Sequence, residues 1–163
     1  MKEHPAGIYG MVKIQMNIMQ LDNDLISSQS IIINASPDKV WETLTNPSLI
    51  SQYLFGAQTI TSWTVGSDLV FKINFEGEEF TDKGIVVENI QNTTLKYKYW
   101  SGFCGLEDKP ENYSIVSYNI EKMGNDRSKL EWIQKGFADE QSRTNSESSL
   151  VTILEKIKFI AER

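Results

Sequence analysis

Between two strand-like runs lies Ser101-Gly102-Phe103-Cys104-Gly105-Leu106-Glu107-Asp108-Lys109-Pro110-Glu111-Asn112-Tyr113, a loop that gathers two glycines, the only cysteine of the chain and three carboxylates. Four chemistries fit such a composition. Glycines can turn backbone N–H groups toward a phosphate. Here, however, no Lys-Ser/Thr pair follows Gly105, and Glu107, Asp108 and Glu111 would repel an anion. A metal site needs three or four ligands, and the nitrogen and sulfur donors amount to Cys104 and His4. The alternating acid pattern of a calcium loop is also missing, so neither a metal nor a cofactor is expected. A cysteine nucleophile needs a base, yet the single histidine stands far upstream, and a serine triad fails for the same reason. Cys104 reads as a small loop residue.

Paired carboxylates are the remaining acid–base option: Glu76, Glu78 and Glu79 at a hairpin turn, and Glu107, Asp108 and Glu111 in the loop. Turns and loops are where solvated acids sit, and catalysis would require one of them to point inward and lose its water. No catalytic residue is assigned.

The other concentration of chemistry is apolar. Phe71, Ile73, Phe75, Tyr97, Tyr99, Tyr118 and Trp132 are large side chains on alternating positions, several with polar tips, and they are expected to face inward. Two readings of this face stand side by side: the rings fill the core, or they wall a cavity with a few placed polar groups. In the second reading Leu150, Ile153, Leu154 and Ile157 close the cavity from a helix, and Phe103 and Leu106 form a rim on a loop that Gly102 and Gly105 leave free to move. The bound molecule would be small and apolar or amphipathic, oriented by tyrosine hydroxyls.

The elements that position these residues follow from period and punctuation. Ser30 to Asn34 is a β-branched strand, and Ser36-Pro37-Asp38 opens a helix with a capping hydroxyl and a proline at its first position. That helix places Val40, Trp41 and Leu44 on one side. A second short helix runs from Pro47 to Leu54. From Thr59 the period becomes two: Leu69, Phe71, Ile73 and Phe75 alternate with polar neighbours, and Glu76-Gly77-Glu78 turns the chain. Gly84 to Ile90 continues with Ile85 and Val87 on one face. Leu95, Tyr97 and Tyr99 follow, then Val116, Tyr118 and Ile120, a turn at Met123 to Asp126, and Leu130 with Trp132. The last segment is polar from Asp139 to Ser149 and then sets Leu150, Ile153, Leu154, Ile157 and Ile160 at helical spacing. This is an α+β plan with six to seven antiparallel strands and a long C-terminal helix.

At 163 residues the chain suits one domain, read as 29–163 after a Met-rich lead-in, 1–28, that is either flexible or docked on the domain. A net charge of −6 argues against nucleic acid. No apolar run is long enough for a membrane span, and residues 1–25 lack the apolar stretch of a secretory signal, so the chain reads as cytoplasmic.

Taken together, Ile33-Asn34-Ala35-Ser36-Pro37-Asp38-Lys39-Val40-Trp41, Trp63-x-Val65-Gly66, Asp82-Lys83-Gly84, and Tyr99-Trp100 followed by the loop from Ser101 to Tyr113 resemble the bacterial homologues of the activator of the heat-shock-protein-ninety ATPase. These belong to the START-related, birch-pollen-allergen-like (SRPBCC) superfamily. The resemblance spans about residues 30–160 and implies a helix-grip fold, a curved antiparallel sheet wrapped around the terminal helix. It also implies a range of functions, since superfamily members bind lipids, sterols or phenolics or act as cyclases. Three readings follow: a binding domain for a small hydrophobic molecule, a protein-interaction module for a chaperone or another protein, or a cyclase- or hydrolase-like enzyme using the same cavity. Any of these is compatible with a monomer or homodimer. Leu150 stands where the resemblance leads one to expect an aromatic, and residues 1–28 are too few for the extra domain that precedes this one in the eukaryotic activator.

Overall fold

A computed structural model describes residues 20–163; most of the expected lead-in, residues 1–19 with His4, lies outside the described residues. Strand β1 spans Asp22–Ile33 and therefore begins eight positions before Ser30, inside the expected lead-in. Its first half is polar and mostly exposed, so the side chains carry no strand signal. What holds it is the backbone ladder to the last strand, from Asp22 opposite Phe137 to Ile33 opposite Ser128, with one irregularity between Asp22 and Ile26.

Two short helices follow. Helix α1, Pro37–Thr45, starts at a proline and buries Val40, Trp41, Thr43 and Leu44. Ser36 occupies its N-cap position, but the hydroxyl makes no capping bond. Helix α2, Pro47–Tyr53, is capped by Asn46, whose side-chain oxygen accepts from the Ser48 N–H at 2.9 Å, and it buries Ile50 and Tyr53. The chain then runs through β2 (Gln58–Ile60), β3 (Asp68–Phe75), β4 (Glu78–Ile90), β5 (Thr94–Trp100), β6 (Ser114–Lys122) and β7 (Ser128–Phe137). These make one seven-stranded antiparallel sheet in the order β1-β7-β6-β5-β4-β3-β2. Strands β2 to β7 form a continuous meander, and β1 closes onto β7, so α1 and α2 carry the chain from one sheet edge to the other. Helix α3, Glu140–Ala161, is about 33 Å long at 1.5 Å per residue and lies on the concave side. The expected helix-grip architecture is the one observed.

Helix α3 is divided along its length. Every residue it buries, Leu150, Ile153, Leu154, Ile157, Ile160 and Ala161, lies in the second half, packed with Ile33, Val40, Leu44, Ile50 and Leu130 in the core. From Glu140 to Ser149 there is no apolar side chain at all. That half is held by polar contacts: Asp139 accepts the Ser142 N–H at 2.8 Å, and Arg143 bridges Glu140 and Glu147 at 2.6 Å each while reaching the Ile26 carbonyl at 3.4 Å. At its other end, Lys158 donates to the Ile32 carbonyl and Glu162 accepts the Asn34 N–H.

On β4 the inward positions are Phe80, Asp82, Gly84 and Val86. Ile85 and Val87, grouped on one face by the sequence pattern, lie on the outer side, and the register slips between Val86 and Glu88. Gly84 is there because the adjacent strand leaves no room: a Cβ built on it would stand 2.3 Å from the Lys98 carbonyl oxygen. Relieving that contact requires β4 and β5 to part. Gly84→Ala is expected to cost about 1–3 kcal/mol or more in urea unfolding; stability within about 0.5 kcal/mol of the parent would contradict the close approach.

Candidate functional site

The first half of α3 offers the sheet nothing apolar to pack on, and a cavity of about 530 Å³ lies between them. The sheet contributes Phe71 and Ile73 from β3, Tyr97 and Tyr99 from β5, Val116 from β6, and Trp132 and Gln134 from β7. The helix contributes Ser146, Ser149, Leu150 and Ile153. Phe55, Phe75 and Phe103 also line it, at 69%, 55% and 50% exposure, which puts them at its mouth. Phe103 stacks on Phe80 with ring centroids 4.1 Å apart and meets Phe75 edge-to-face at 6.2 Å. Deeper in, Phe71, Tyr97 and Tyr99 contact one another at 6.2 to 6.4 Å in tilted and edge-on pairs.

Nine of the thirteen expected wall residues line one hollow: Phe71, Ile73, Phe75, Tyr97, Tyr99, Phe103, Trp132, Leu150 and Ile153. Phe75 is not the inner wall that its alternation implies. It pairs with Glu78 at the hairpin end, where the sheet runs out past its cover. Tyr118 is buried behind Trp132, with ring centroids 4.4 Å apart, and shares a hydroxyl hydrogen bond with Tyr97. Leu154 and Ile157, also expected to close the cavity from the helix, turn into the core instead. Leu106 is buried beneath its loop instead of forming a rim.

That loop is tethered, which corrects the expectation that its glycines free it. The Trp100 indole Nε1 donates to the Leu106 carbonyl at 3.0 Å, and the Gly102 N–H donates to Asp82 Oδ1 at 3.0 Å. A Cβ on Gly102 would stand 3.1 Å from the Thr81 carbonyl oxygen, so the glycine serves close approach here. The expected solvated acids are all exposed, and Asp108 pairs with Lys83 at 2.7 Å.

The residue that sequence reasoning missed is Asp82. It lines the cavity, is 3% exposed, and receives Ser101 Oγ at 2.9 Å and Gly102 N on Oδ1, and the Tyr99 hydroxyl on Oδ2. The signal was present in the period-two run Phe80, Asp82, Gly84, Val86, one face of a strand with an acid in it. Ser146 and Ser149 were likewise readable, standing one turn apart on the stripe that continues to Leu150 and Ile153. The arrangement is a largely apolar aromatic wall with a few polar groups and one inward carboxylate. Among the described residues no cluster of three His, Cys, Asp or Glu side chains could hold a metal, and no helix is long and apolar enough to cross a membrane.

Burial drives the tyrosine chemistry. Loss of water pushes the Tyr53, Tyr97, Tyr99 and Tyr118 phenols above their ordinary value near 10. The charge of Asp82 raises Tyr97 and Tyr99 further, while the bond from Tyr118 opposes the shift at Tyr97. Below pH about 10 these phenols are protonated whether the chain is folded or not, and their contribution to stability is complete. Above it the unfolded chain releases protons that the native state retains, so stability falls as pH rises. In an alkaline titration, tyrosinate absorbance from these four residues is expected to appear together with the loss of far-ultraviolet circular dichroism. Reversible ionisation near pH 10 in a folded protein would contradict the assignment.

Comparison with known proteins agrees with this architecture. A solved protein from Cytophaga hutchinsonii is similar at 32% identity and a TM-score of 0.72, over 84% of this chain and 93% of that one. The Aha1 dimer from Colwellia psychrerythraea matches at 17% identity and a TM-score of 0.66, over 84% and 96%. An HSP90 activator from Plasmodium falciparum matches at 14% and 0.65, over 83% and 95%. No protein of curated function matches the chain. The family model described as activator of Hsp90 ATPase homolog 1-like protein matches residues 34–162, nearly the whole described fold, and the chain belongs to that family.

Proposed function

We propose that this protein is a binding domain for a small apolar or amphipathic molecule, held between the inner face of the sheet and the middle of α3, from Ser146 to Ile153. The observation that carries the reading is the aromatic hollow of about 530 Å³, within the roughly 300–1,000 Å³ range of ligand sites. Phe71, Tyr97, Trp132, Leu150 and Ile153 supply apolar contact, and each ~100 Å² of apolar ligand surface removed from water is worth ~2.5 kcal/mol before binding costs. Tyr99, Ser101 and Gln134 supply orientation.

A second reading, a protein-interaction module acting on a chaperone, is supported by the family description and by the Plasmodium falciparum neighbour. It predicts stimulation of the ATPase of the host chaperone on mixing. The binding reading predicts saturable uptake of a neutral apolar fluorophore and a copurifying small molecule in native mass spectrometry.

Ser149 lines the hollow from an exposed helix position, so Ser149→Trp can fill the space at little cost to folding. The substitution is expected to weaken fluorophore binding about 10-fold with the unfolding midpoint nearly unchanged. Fluorophore binding that is unsaturable, or untouched by Ser149→Trp, would contradict the cavity as its site.

A further inference from the structure

Asp82 is a buried carboxylate without a cationic partner among the described residues. Their ion pairs engage Asp108, Glu88, Glu107, Glu140, Glu147 and Glu162, and Lys83, its sequence neighbour, points outward to Asp108. The groups that do reach Asp82 are neutral donors: Tyr99 on Oδ2, Ser101 and Gly102 on Oδ1. A carboxylate has about four acceptor positions, so one remains open, on Oδ2. A buried acid that lacks a counter-charge is costly to maintain. Pinning the Ser101–Gly102 turn needs acceptors but no charge.

The surroundings point the same way. Among the described residues lining the cavity there is no Lys, Arg or His, and Asp82 is the one ionisable carboxylate. Phe71 stands directly opposite Asp82 across β3 and β4, Tyr99 donates to it, and the Tyr97 ring contacts both of theirs; aromatic rings attract a cation within about 6 Å. We propose that the cavity selects amphiphiles with a single protonated amine, the ammonium seated between Asp82 Oδ2 and the Phe71–Tyr97–Tyr99 rings and the apolar tail running toward Phe75 and Phe103. The same charge excludes fatty acids and other anionic amphiphiles. This rests on the binding function proposed above and names its ligand class.

The test is displacement of a neutral apolar fluorophore by three chain-matched probes, decylamine, decanol and decanoate, below their aggregation thresholds. The amine is expected to bind about 10-fold tighter than the alcohol, as a charge-assisted hydrogen bond allows, and the carboxylate weaker than both. Asp82→Asn should bring the ratio of amine to alcohol toward 1. Tyr99→Phe removes one neutral donor and keeps the charge, and it should retain the preference for the amine. Decanol or decanoate binding as tightly as decylamine would overturn the ligand class while leaving the apolar cavity in place. Failure of all three probes to displace the fluorophore would overturn both. The ranking on the unmodified protein decides the matter even where Asp82→Asn does not fold.

Discussion

The structure turns on an asymmetry within one helix. Helix α3 needs an apolar face to dock on the sheet, and it has one only from Leu150 onward. There it meets α1, α2 and β1 and completes a core whose central residues, Ile33, Leu130, Leu154 and Ile157, are almost wholly out of solvent. The preceding turns, from Glu140 to Ser149, keep the helix continuous through Asp139 capping and the Arg143 bridges, which are surface interactions worth little as packing. The sheet beneath them keeps its concave aromatic face without a partner. One helix thus acts as a clamp at one end and as a roof at the other.

The polar groups of the hollow depend on that division too. Asp82 can occupy an inward strand position because nothing presses on it from the helix and because the turn after β5 delivers Ser101 and Gly102 to its oxygens. Gly84, two residues along the same face, lets β5 come close enough for Tyr99 to reach it. The loop from Ser101 to Tyr113 works as a bracket: Trp100 and Leu106 pin it, its carboxylates stay in water, and Phe103 is presented at the mouth against Phe80.

Much of this was legible before any coordinates. The alternation on β3, β5, β6 and β7 located the strands and most of the cavity wall, and the polar-then-apolar text of α3 marked where packing would begin. Less legible was whatever depended on backbone pairing or on a mixed face. Residues 22–29 carry no strand pattern because β1 lies at a sheet edge and is fixed by its ladder to β7. Asp82 was passed over because Thr81-Asp82-Lys83 reads as a polar patch when taken residue by residue, whereas every second residue reveals one acid within an apolar row. Tyr118, Leu106 and Leu154 show that burial and cavity lining are different properties, separated by a single step of packing depth that alternation does not encode.

The proposed binding requires the space beneath Ser146 to Ile153 of α3, which side chains leave unfilled. The most direct measurement is nuclear magnetic resonance of the protein under xenon, which enters dry apolar cavities and is indifferent to ligand chemistry. Shifts that saturate at the Trp132 indole and at the Leu150 and Ile153 methyls, with Ile157 and Ile160 unmoved, are the predicted result. Shifts spread evenly along the helix, or none at Trp132, would mean that the sheet and helix are closed against each other and that the hollow does not exist in solution.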